Sequence, residues 1–414
     1  MDDFVVGIDV GTTKICTLVA RVEPDDSLRI MGVGVEPAEG IRKGVIVDLT
    51  AASQSIGRSI AQAEQTSGVK IETALVSLAG AHVASINSRG VVAVAGHTVE
   101  DSDIERAMDS ARSVAIPNSR EVIHVIQRGF SLDGQDGIHQ PIGMHGYRLE
   151  VEAHVITAAT ATAENLRQAV GAAGVRVAQF VLKPLASAEV VLTDTERNMG
   201  AIVCDIGGGT TDLAIYVNGD VWHTMVLAVG GNNITQDIAH GLRLPLSQAE
   251  EVKKLHGHSV QAEIGMDEAF NILPFGAETP MRMSRRDLSL IIEARVEEMF
   301  ELALQEIKRS GYDGLLPAGM ILTGGTSLLP GIRQSASKVL GMPVRTAQPD
   351  KLLGLADKLN SPAYATGVGL LTWAAALQSL PISYRDGPQK RRSVQKGDGE
   401  NWNTVKNLIK RLLP

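Results

Sequence analysis

The stretch that most constrains the fold is Cys204–Leu213, CDIGGGTTDL, with the apolar run Ala201–Val203 leading into it. A short apolar strand delivers Asp205 and stops at Gly207, Gly208 and Gly209. Thr210, Thr211 and Asp212 follow before a new apolar run begins at Leu213. Residues without Cβ atoms are expected to take positive φ here and let backbone N–H groups close around an anion. The threonine hydroxyls add donors. Two carboxylates beside a phosphate require a cation, and Mg2+ held through water at Asp205 and Asp212 is the expected one. By itself the glycine run describes an ordinary hairpin turn equally well.

A related pattern occurs earlier, in Gly7–Ile15, GIDVGTTKI. Asp9-Val-Gly-Thr-Thr matches Asp205-Ile-Gly-Gly-Gly-Thr-Thr with the second turn two residues longer, which sets Lys14 against Asp212. One turn then offers a cation to phosphate (Gly11, Thr12, Thr13, Lys14) and the other a carboxylate to metal, with Asp9 as the partner of Asp205. Two such hairpins half a chain apart predict a duplicated fold with its ligand clamped between the halves. No GxxxxGK[ST] loop is present, and neither Gly32-Val-Gly34 nor Gly367-Val-Gly369 completes a dinucleotide fingerprint.

A third glycine signal lies in Met320–Gly331, MILTGGTSLLPG, where Gly324-Gly325 allows backbone to approach a purine or ribose. The three motifs in this order resemble the actin-like ATPase superfamily. The resemblance implies an α/β fold of two duplicated lobes around a nucleotide cleft, with ATP and Mg2+ as cofactors. The first two motifs would grip phosphates from opposite lobes, and the third would line the adenosine pocket.

At 414 residues the chain exceeds one average domain, and 44% apolar content is enough for real cores. An aromatic share of 3% and a net charge of −8 argue against a nucleic-acid partner. The two cysteines, Cys16 and Cys204, each fall in or beside a phosphate hairpin, so they are candidate neighbours in a reduced cytosolic protein. The acidic start MDDFVVGIDV enters a strand at once and is not a secretory signal. No apolar run reaches the roughly 18–20 residues that span a bilayer.

Strands at Thr17–Arg21, Leu28–Val35 and Ala74–Ala79 with a helix at Ala51–Ser67 read as an α/β lobe. From 84 to 160 that rhythm breaks into an inserted α+β subdomain: Val91–Val94 is strand-like, Asp101–Arg112 helical, Glu121–Val125 and Leu149–Ile156 strands. Its segments IPNSREVIHVIQRGFSLDGQDGI and PIGMHGYRLEVEAHVIT are similar to the insert of the FtsA family of bacterial cell-division proteins, actin relatives. The resemblance runs along essentially the whole chain. It implies lobe 1 (1A) at 1–83, 161–197 and 362–381, the insert 1C at 84–160, lobe 2 (2A) at 198–230 and 305–361, and subdomain 2B at 231–304.

By the same resemblance, Asp9, Asp205 and Asp212 hold Mg2+ through water, with Asp205 also positioning the attacking water. Gly207, Gly208, Gly209, Thr210 and Thr211 bind phosphate. Gly230-Gly231 opens a helix beside the nucleotide, and Glu250 and Lys253, in the pattern AExxK, join Gly324 and Gly325 around adenosine. Glu250 and Lys253 share a helix face, which is also the signature of a plain surface ion pair. ATP-hydrolysing relatives often carry a carboxylate or amide before the segment matching Pro184, to orient water; here the residue is Lys183. Slow hydrolysis and a mainly structural nucleotide are therefore expected.

The family also implies partners. Subdomain 2B receives the C-terminal tail of FtsZ, and the matching region is Asn233, Asp237, Arg285 and Arg286, although each arginine reads equally well as surface charge. Filaments of the chain itself and contacts of 1C with later division proteins are implied too. Residues 382–401 read as a flexible linker. In the last stretch Trp402, Val405, Leu408, Ile409, Leu412 and Leu413 fall within an arc of about 140° of a helix. Lys406, Lys410 and Arg411 lie on the other side with Asn403, Thr404 and Asn407. From Ile382 onward eight Lys/Arg face three Asp/Glu, a net +5. An anionic inner-membrane surface fits this helix, at about 1 kcal/mol per basic residue plus apolar burial. A groove on the chain's own body or on a partner is the competing site. The expected location is the cytoplasmic face of the bacterial membrane at the division septum. Alternatives are an FtsA-type pilus-assembly protein, which would not need the tail, and a sugar or acid kinase on the same fold.

Overall fold

The computed structural model describes residues 4–378, apart from 26, 114, 115 and 351. The expected linker 382–401 and the helix Trp402–Pro414 lie outside the described residues.

The chain opens with an antiparallel meander of β1 (Phe4–Val10), β2 (Lys14–Val22) and β3 (Leu28–Pro37). A small hairpin, β4 (Ile41–Arg42) and β5 (Val45–Ile46), leads to α1 (Leu49–Ser67). The Asp48 side chain caps α1 by accepting from the Ala51 N–H, and left-handed Gly68 ends it. Its apolar stripe Ala52, Ile56, Ile60, Ala63 packs on the sheet. β6 (Thr73–Leu78) then returns parallel to β1.

The insert follows: β7 (Ala84–Ala93), α2 (Asp101–Arg112), β8 (Arg120–Leu132), β9 (Gln135–Ile138) and β10 (Arg148–Ala159). Its sheet has the order β7-β10-β8-β9 and its own core around Phe130, Leu149, Val151, Ala107 and Ala111. The strands run well past the expected short ones, because polar residues such as Asn87, Ser88 and Arg89 interrupt the apolar alternation without interrupting the ladder. α3 (Thr160–Ala172), β11 (Arg176–Leu182), α4 (Lys183–Val191) and α5 (Asp194–Met199) complete the first half.

The second half repeats the plan with β12 (Ala201–Ile206), β13 (Thr211–Val217) and β14 (Asp220–Leu227). Asn218 and Gly219 join the last two strands with φ of 55° and 89°, the expected type I′ geometry. Then come α6 (Gly231–Leu242), α7 (Leu246–His256), the ribbon β15 (Ala269–Ile272) and β16 (Met281–Ser284), and α8 (Arg285–Ser310). β17 (Gly319–Thr323), α9 (Ile332–Leu340), β18 (Val344–Thr346), β19 (Leu353–Gly354) and α10 (Ala365–Gln378) close the described chain. The first sheet runs β19-β3-β2-β1-β6-β11 and the second β14-β13-β12-β17-β18; apart from β19, which pairs parallel to β3 at the edge, the two share one plan. Each is a three-strand meander with two parallel strands added beyond its first strand. The duplication expected from the motifs is thus present in the topology.

Strand alternation decides where the functional side chains point. On β12, Ile202, Cys204 and Ile206 face an outer core with α6, α8 and α9, while Ala201 and Val203 face a central core shared with α4, α10 and the first sheet. Asp205 therefore lies on the inner side. On β1, Ile8 and Val10 face the outer core with α1 and α3, and Val5 faces inward, as does Asp9. Gly7 keeps this face open to α10, since a Cβ there would stand 2.8 Å from Leu370 Cβ. The two aspartates thus meet across the central layer. Cys16 and Cys204 do not meet: one belongs to the central core and the other to the outer core, because they fall on opposite faces of their sheets.

The insert also leans on the second lobe. The Arg128 guanidinium lies 4.2 Å from the Trp222 ring centroid and donates to the Tyr312 hydroxyl at 3.2 Å. The His154 ring bridges Asn87 and Thr224.

Candidate functional site

The two Asp-bearing hairpins close the same way. Val10 pairs with Ile15 and the Gly11 N–H donates to the Lys14 carbonyl at 3.0 Å; Ile206 pairs with Thr211 and the Gly207 N–H donates to the Thr210 carbonyl at 2.9 Å. The turns are therefore equal in length, and the expected two-residue difference is absent. Backbone closure, not the Thr-Thr match, sets the correspondence: Lys14 stands opposite Thr210, and Cys16 opposite Asp212.

The expectation of positive φ at Gly207, Gly208 and Gly209 also fails; these glycines are absent from the residues with positive φ. Gly208 and Gly209 are needed for space, whereas a Cβ on Gly207 would come no closer than 3.4 Å to another atom. A Cβ on Gly208 would collide with Thr13 Oγ1, and one on Gly209 would stand 2.5 Å from Thr12 Oγ1. The tips of the two hairpins touch. The amides of Thr12, Thr13, Gly208 and Gly209 find no protein acceptor among the described residues. Four N–H donors from two lobes thus remain open at one place, the arrangement an anion satisfies.

Behind these tips is a cavity of about 390 Å³, within the size range of small-molecule sites. It is lined by Asp9, Gly11, Thr12, Thr13, Lys14, Asp205, Gly207, Gly208, Gly209, Thr210, Asp212, Gly231, Glu250, Lys253, Gly324 and Gly325. Of the residues assigned to nucleotide or metal, Thr211 and Gly230 stand apart. Thr211 pairs with Ile206 on the outer face and donates to the Val229 carbonyl, and Gly230 lies beneath the second hairpin, where a Cβ would meet Gly207 O at 2.7 Å.

Lys183, Thr366, Asn232, Thr326 and Lys254 line the cavity without having been assigned to it. Lys183 begins α4, and its Nζ lies 2.8 Å from Asp9 Oδ1. The Ser77 hydroxyl donates to the same oxygen at 2.8 Å. Burial works to raise the Asp9 pKa, but Lys183 and Ser77 outweigh it and hold this carboxyl below its ordinary range. The same pairing overcomes the effect of burial on Lys183 and raises its pKa. Asp205 Oδ2 accepts from Ser187 Oγ at 2.6 Å and Thr366 Oγ1 at 2.8 Å, yet burial dominates and raises its pKa. Asp205 and Asp212 are direct cross-strand partners, with Cβ atoms about 4.5–5.5 Å apart in such a pair. Burial, and then Asp205, push Asp212 up to about 7. Asp212 Oδ1 is buried with no partner, while Thr210 donates to Oδ2 at 2.7 Å.

These residues bear on the expected metal. Among the described residues no group of three or more His, Cys, Asp or Glu is placed to hold an ion directly. The orphan oxygen of Asp212 beside Asp205 fits a hydrated cation; Asp9 is already paired with an ammonium. At the opposite wall, Lys253 Nζ lies 2.6 Å from Glu250 Oε2 and donates to Thr235 Oγ1 at 2.8 Å and the Gly231 carbonyl at 3.1 Å. The pair is half-buried and faces the cavity rather than open solvent. Lys14 rests over the Tyr364 ring, its Nζ 3.3 Å from the centroid.

The chain is 41% identical over 379 residues to cell division protein FtsA of Pseudomonas aeruginosa, covering 92% of this chain and 91% of that one. The chain belongs to the FtsA family. It is also 36% identical to the Escherichia coli K12 protein, with 89% of each chain covered, and 37% identical to the Bacillus subtilis protein, with 93% and 87% covered. The family model for cell division protein FtsA matches residues 202–369, and that for the SHS2 domain inserted in FtsA matches residues 80–157. Among solved structures, a PilM-PilN type IV pilus biogenesis complex matches with TM-score 0.63 and 17% identity, over 90% of this chain and 98% of that one. MreB5 of Spiroplasma citri bound to ADP matches with TM-score 0.54 and 16% identity, over 88% and 94%. The FtsA-family chain accordingly has the actin-like fold with an inserted subdomain. Its FtsA relatives bear on the pilus-assembly alternative as well, since the pilus protein shares the fold at far lower identity.

Of the residues expected to receive the FtsZ tail, Asn233 and Asp237 lie on α6, and Arg285 and Arg286 begin α8. Asn233 accepts from the Gly230 N–H and so caps α6. Asp237 is held by both Nε and Nη2 of Arg295, at 2.5 and 3.0 Å. Arg285 pairs with Glu268 and donates to the His256 carbonyl. It begins α8 about 15 Å along the axis from Arg295, at roughly 1.5 Å per residue. The residues expected at a membrane surface, Trp402, Val405, Lys406, Leu408, Ile409, Lys410, Arg411, Leu412 and Leu413, lie outside the described residues. No described helix is long and apolar enough to cross a membrane.

Proposed function

We propose that this FtsA-family cell-division protein binds ATP between its lobes and uses the bound nucleotide to fix how the lobes present their assembling surfaces. The observation that carries the reading is the set of open amides at Thr12, Thr13, Gly208 and Gly209, brought together from opposite lobes over a cavity. Phosphates take those amides and the Thr12 and Thr13 hydroxyls. The Gly324-Gly325 backbone, Leu328 and Leu329 border the base, with Glu250 and Lys253 reaching the ribose or adenine edge. Mg2+ joins through water at Asp205 and Asp212, with Asp9 one step back behind Lys183. Support also comes from relatives of the fold described as bound to ADP and AMPPNP.

In the cell the protein would polymerise, hold FtsZ filaments through the lobe carrying α6 and α8, offer its insert to later division proteins, and attach to anionic lipid through Trp402–Pro414. The actin-fold kinase reading is weakened by Lys183, an ammonium where a base would have to accept a proton.

Calorimetric titration with ATP and Mg2+ tests the site. Gly209→Val, which drives side-chain atoms into Thr12, should weaken ATP by about 100-fold or more, whereas Lys253→Met should cost about tenfold for one charged contact. Unchanged affinity in both variants refutes the assignment. Sedimentation with anionic vesicles and FtsZ tests the tether: removing 402–414 should abolish FtsZ recruitment to the vesicle pellet, and retained recruitment refutes the membrane role.

A further inference from the structure

The phosphate end of the cavity has an electrostatic problem that the chain itself answers. Asp9, Asp205 and Asp212 all line this end. Any two of these charges, or one of them and a phosphate, repel by about 3 kcal/mol at 5 Å in an effective dielectric near 20. A triphosphate arriving among three carboxylates would ordinarily need a divalent ion. Lys183 already stands there: its Nζ is 2.8 Å from Asp9 Oδ1, and its charge is felt by Asp205 and Asp212 as well. Its side chain is only 13% exposed, so the ammonium is held in place rather than sampling solvent. An ammonium has three N–H donors, and Asp9 takes one, leaving two for phosphate oxygens.

Counting the whole lining, Lys14, Lys183, Lys253 and Lys254 balance Asp9, Asp205, Asp212 and Glu250. Lys253 and Lys254 both pair with Glu250, at the far wall. Lys14 lies over Tyr364. Lys183 is therefore the lining cation whose partner belongs to the aspartate group, and without it the phosphate end carries Lys14 alone against three acids.

We propose that Lys183 is the resident counter-cation of the phosphate end, and that it lets this chain retain ATP without a divalent metal. The proposal rests on the nucleotide reading above and adds to it a specific role for this side chain. Mg2+ then accompanies the nucleotide without being needed to hold it.

The test is ATP binding by the full chain, measured calorimetrically with excess Mg2+ and again with EDTA. The wild-type protein should lose no more than about tenfold in affinity on chelation, while Lys183→Gln should lose about 100-fold or more in EDTA and largely recover with Mg2+. Lys183→Arg keeps the charge and should follow the wild type. Wild-type binding that collapses on chelation overturns the proposal, and that measurement needs no variant. So does a Lys183→Gln protein weakened equally with and without Mg2+, which would make Lys183 an ordinary phosphate contact. Failure of the wild type to bind ATP even with Mg2+ removes the nucleotide reading itself, and is a distinct result.

Discussion

Gly324→Ala is expected to destabilise the protein by several kcal/mol and to abolish nucleotide retention. Gly324 has φ 84° and ψ 164°, a region that side chains other than hydrogen essentially do not occupy. Strain of that kind costs about 1–3 kcal/mol. Space makes it worse, because a Cβ there would crowd Asp205 Oδ1 and stand 2.6 Å from Ile206 O and 2.7 Å from Ile206 N. Those backbone atoms belong to the end of β12, hydrogen-bonded on one side to β13 and on the other to β17, and cannot yield. Overpacking adds about 1–3 kcal/mol more. Gly341→Ala is the matched control: φ is 66° but no atom lies within 4 Å of the added carbon, so only the conformational cost of about 1–2 kcal/mol applies. Thermal melts of the two variants should differ clearly, with ATP binding lost in Gly324→Ala alone. Equal melting points would mean that the close approach of Gly324 to Asp205 is not what this position requires.

Much of this site was legible in the sequence because its requirements are local. An apolar run, an aspartate on its inner-facing position and glycines at the turn fix both the strand alternation and the approach of a second backbone. The same pattern twice announces a repeated sheet. What stayed hidden depends on three-dimensional closure. Matching threonine to threonine misaligned the hairpins, since turn length is set by which N–H reaches which carbonyl, and side-chain identity does not report that. The reason for Gly208 and Gly209 is not positive φ: crowding by Thr13 and Thr12, about 195 residues away in sequence, excludes their Cβ atoms, and a single chain read in order does not show such contacts. In the sequence Lys183 reads only as a departure from a water-orienting carboxylate or amide. Its role needs Asp9, from the other side of the insert. Likewise Glu250 and Lys253 carry a spacing that suits a surface pair, and only the packing of α7 on α6 turns them into the cavity.

The Asp205–Asp212 pair gives the second large effect, in the pH dependence of stability. A carboxyl that ionises near 3.8 when unfolded and near about 7 when folded contributes stabilisation in full below pH 3.8. That contribution falls as pH rises, is largely lost by about pH 7, and changes little above it. Its size is on the order of 4 kcal/mol, the work of ionising a buried group beside another carboxylate. Asp212→Asn keeps the shape and an oxygen for the Thr210 hydroxyl, and turns a repulsion into an amide donor next to Asp205. The variant should therefore be more stable than wild type at pH 8. Its advantage should shrink steadily on acidification and nearly vanish by about pH 3, where the wild-type carboxyl is protonated in both the folded and the unfolded state. Denaturant titrations of both proteins across that range measure it. A stability difference that stays constant with pH would show that Asp212 keeps an ordinary pKa in the folded chain. If the advantage appears but ATP affinity in Mg2+ falls, the destabilising pair is being maintained for the ligand, a local cost carried at a functional site. The physical point is that two facing aspartates on adjacent strands are poorly matched in the empty fold and become well matched only with positive charge between them.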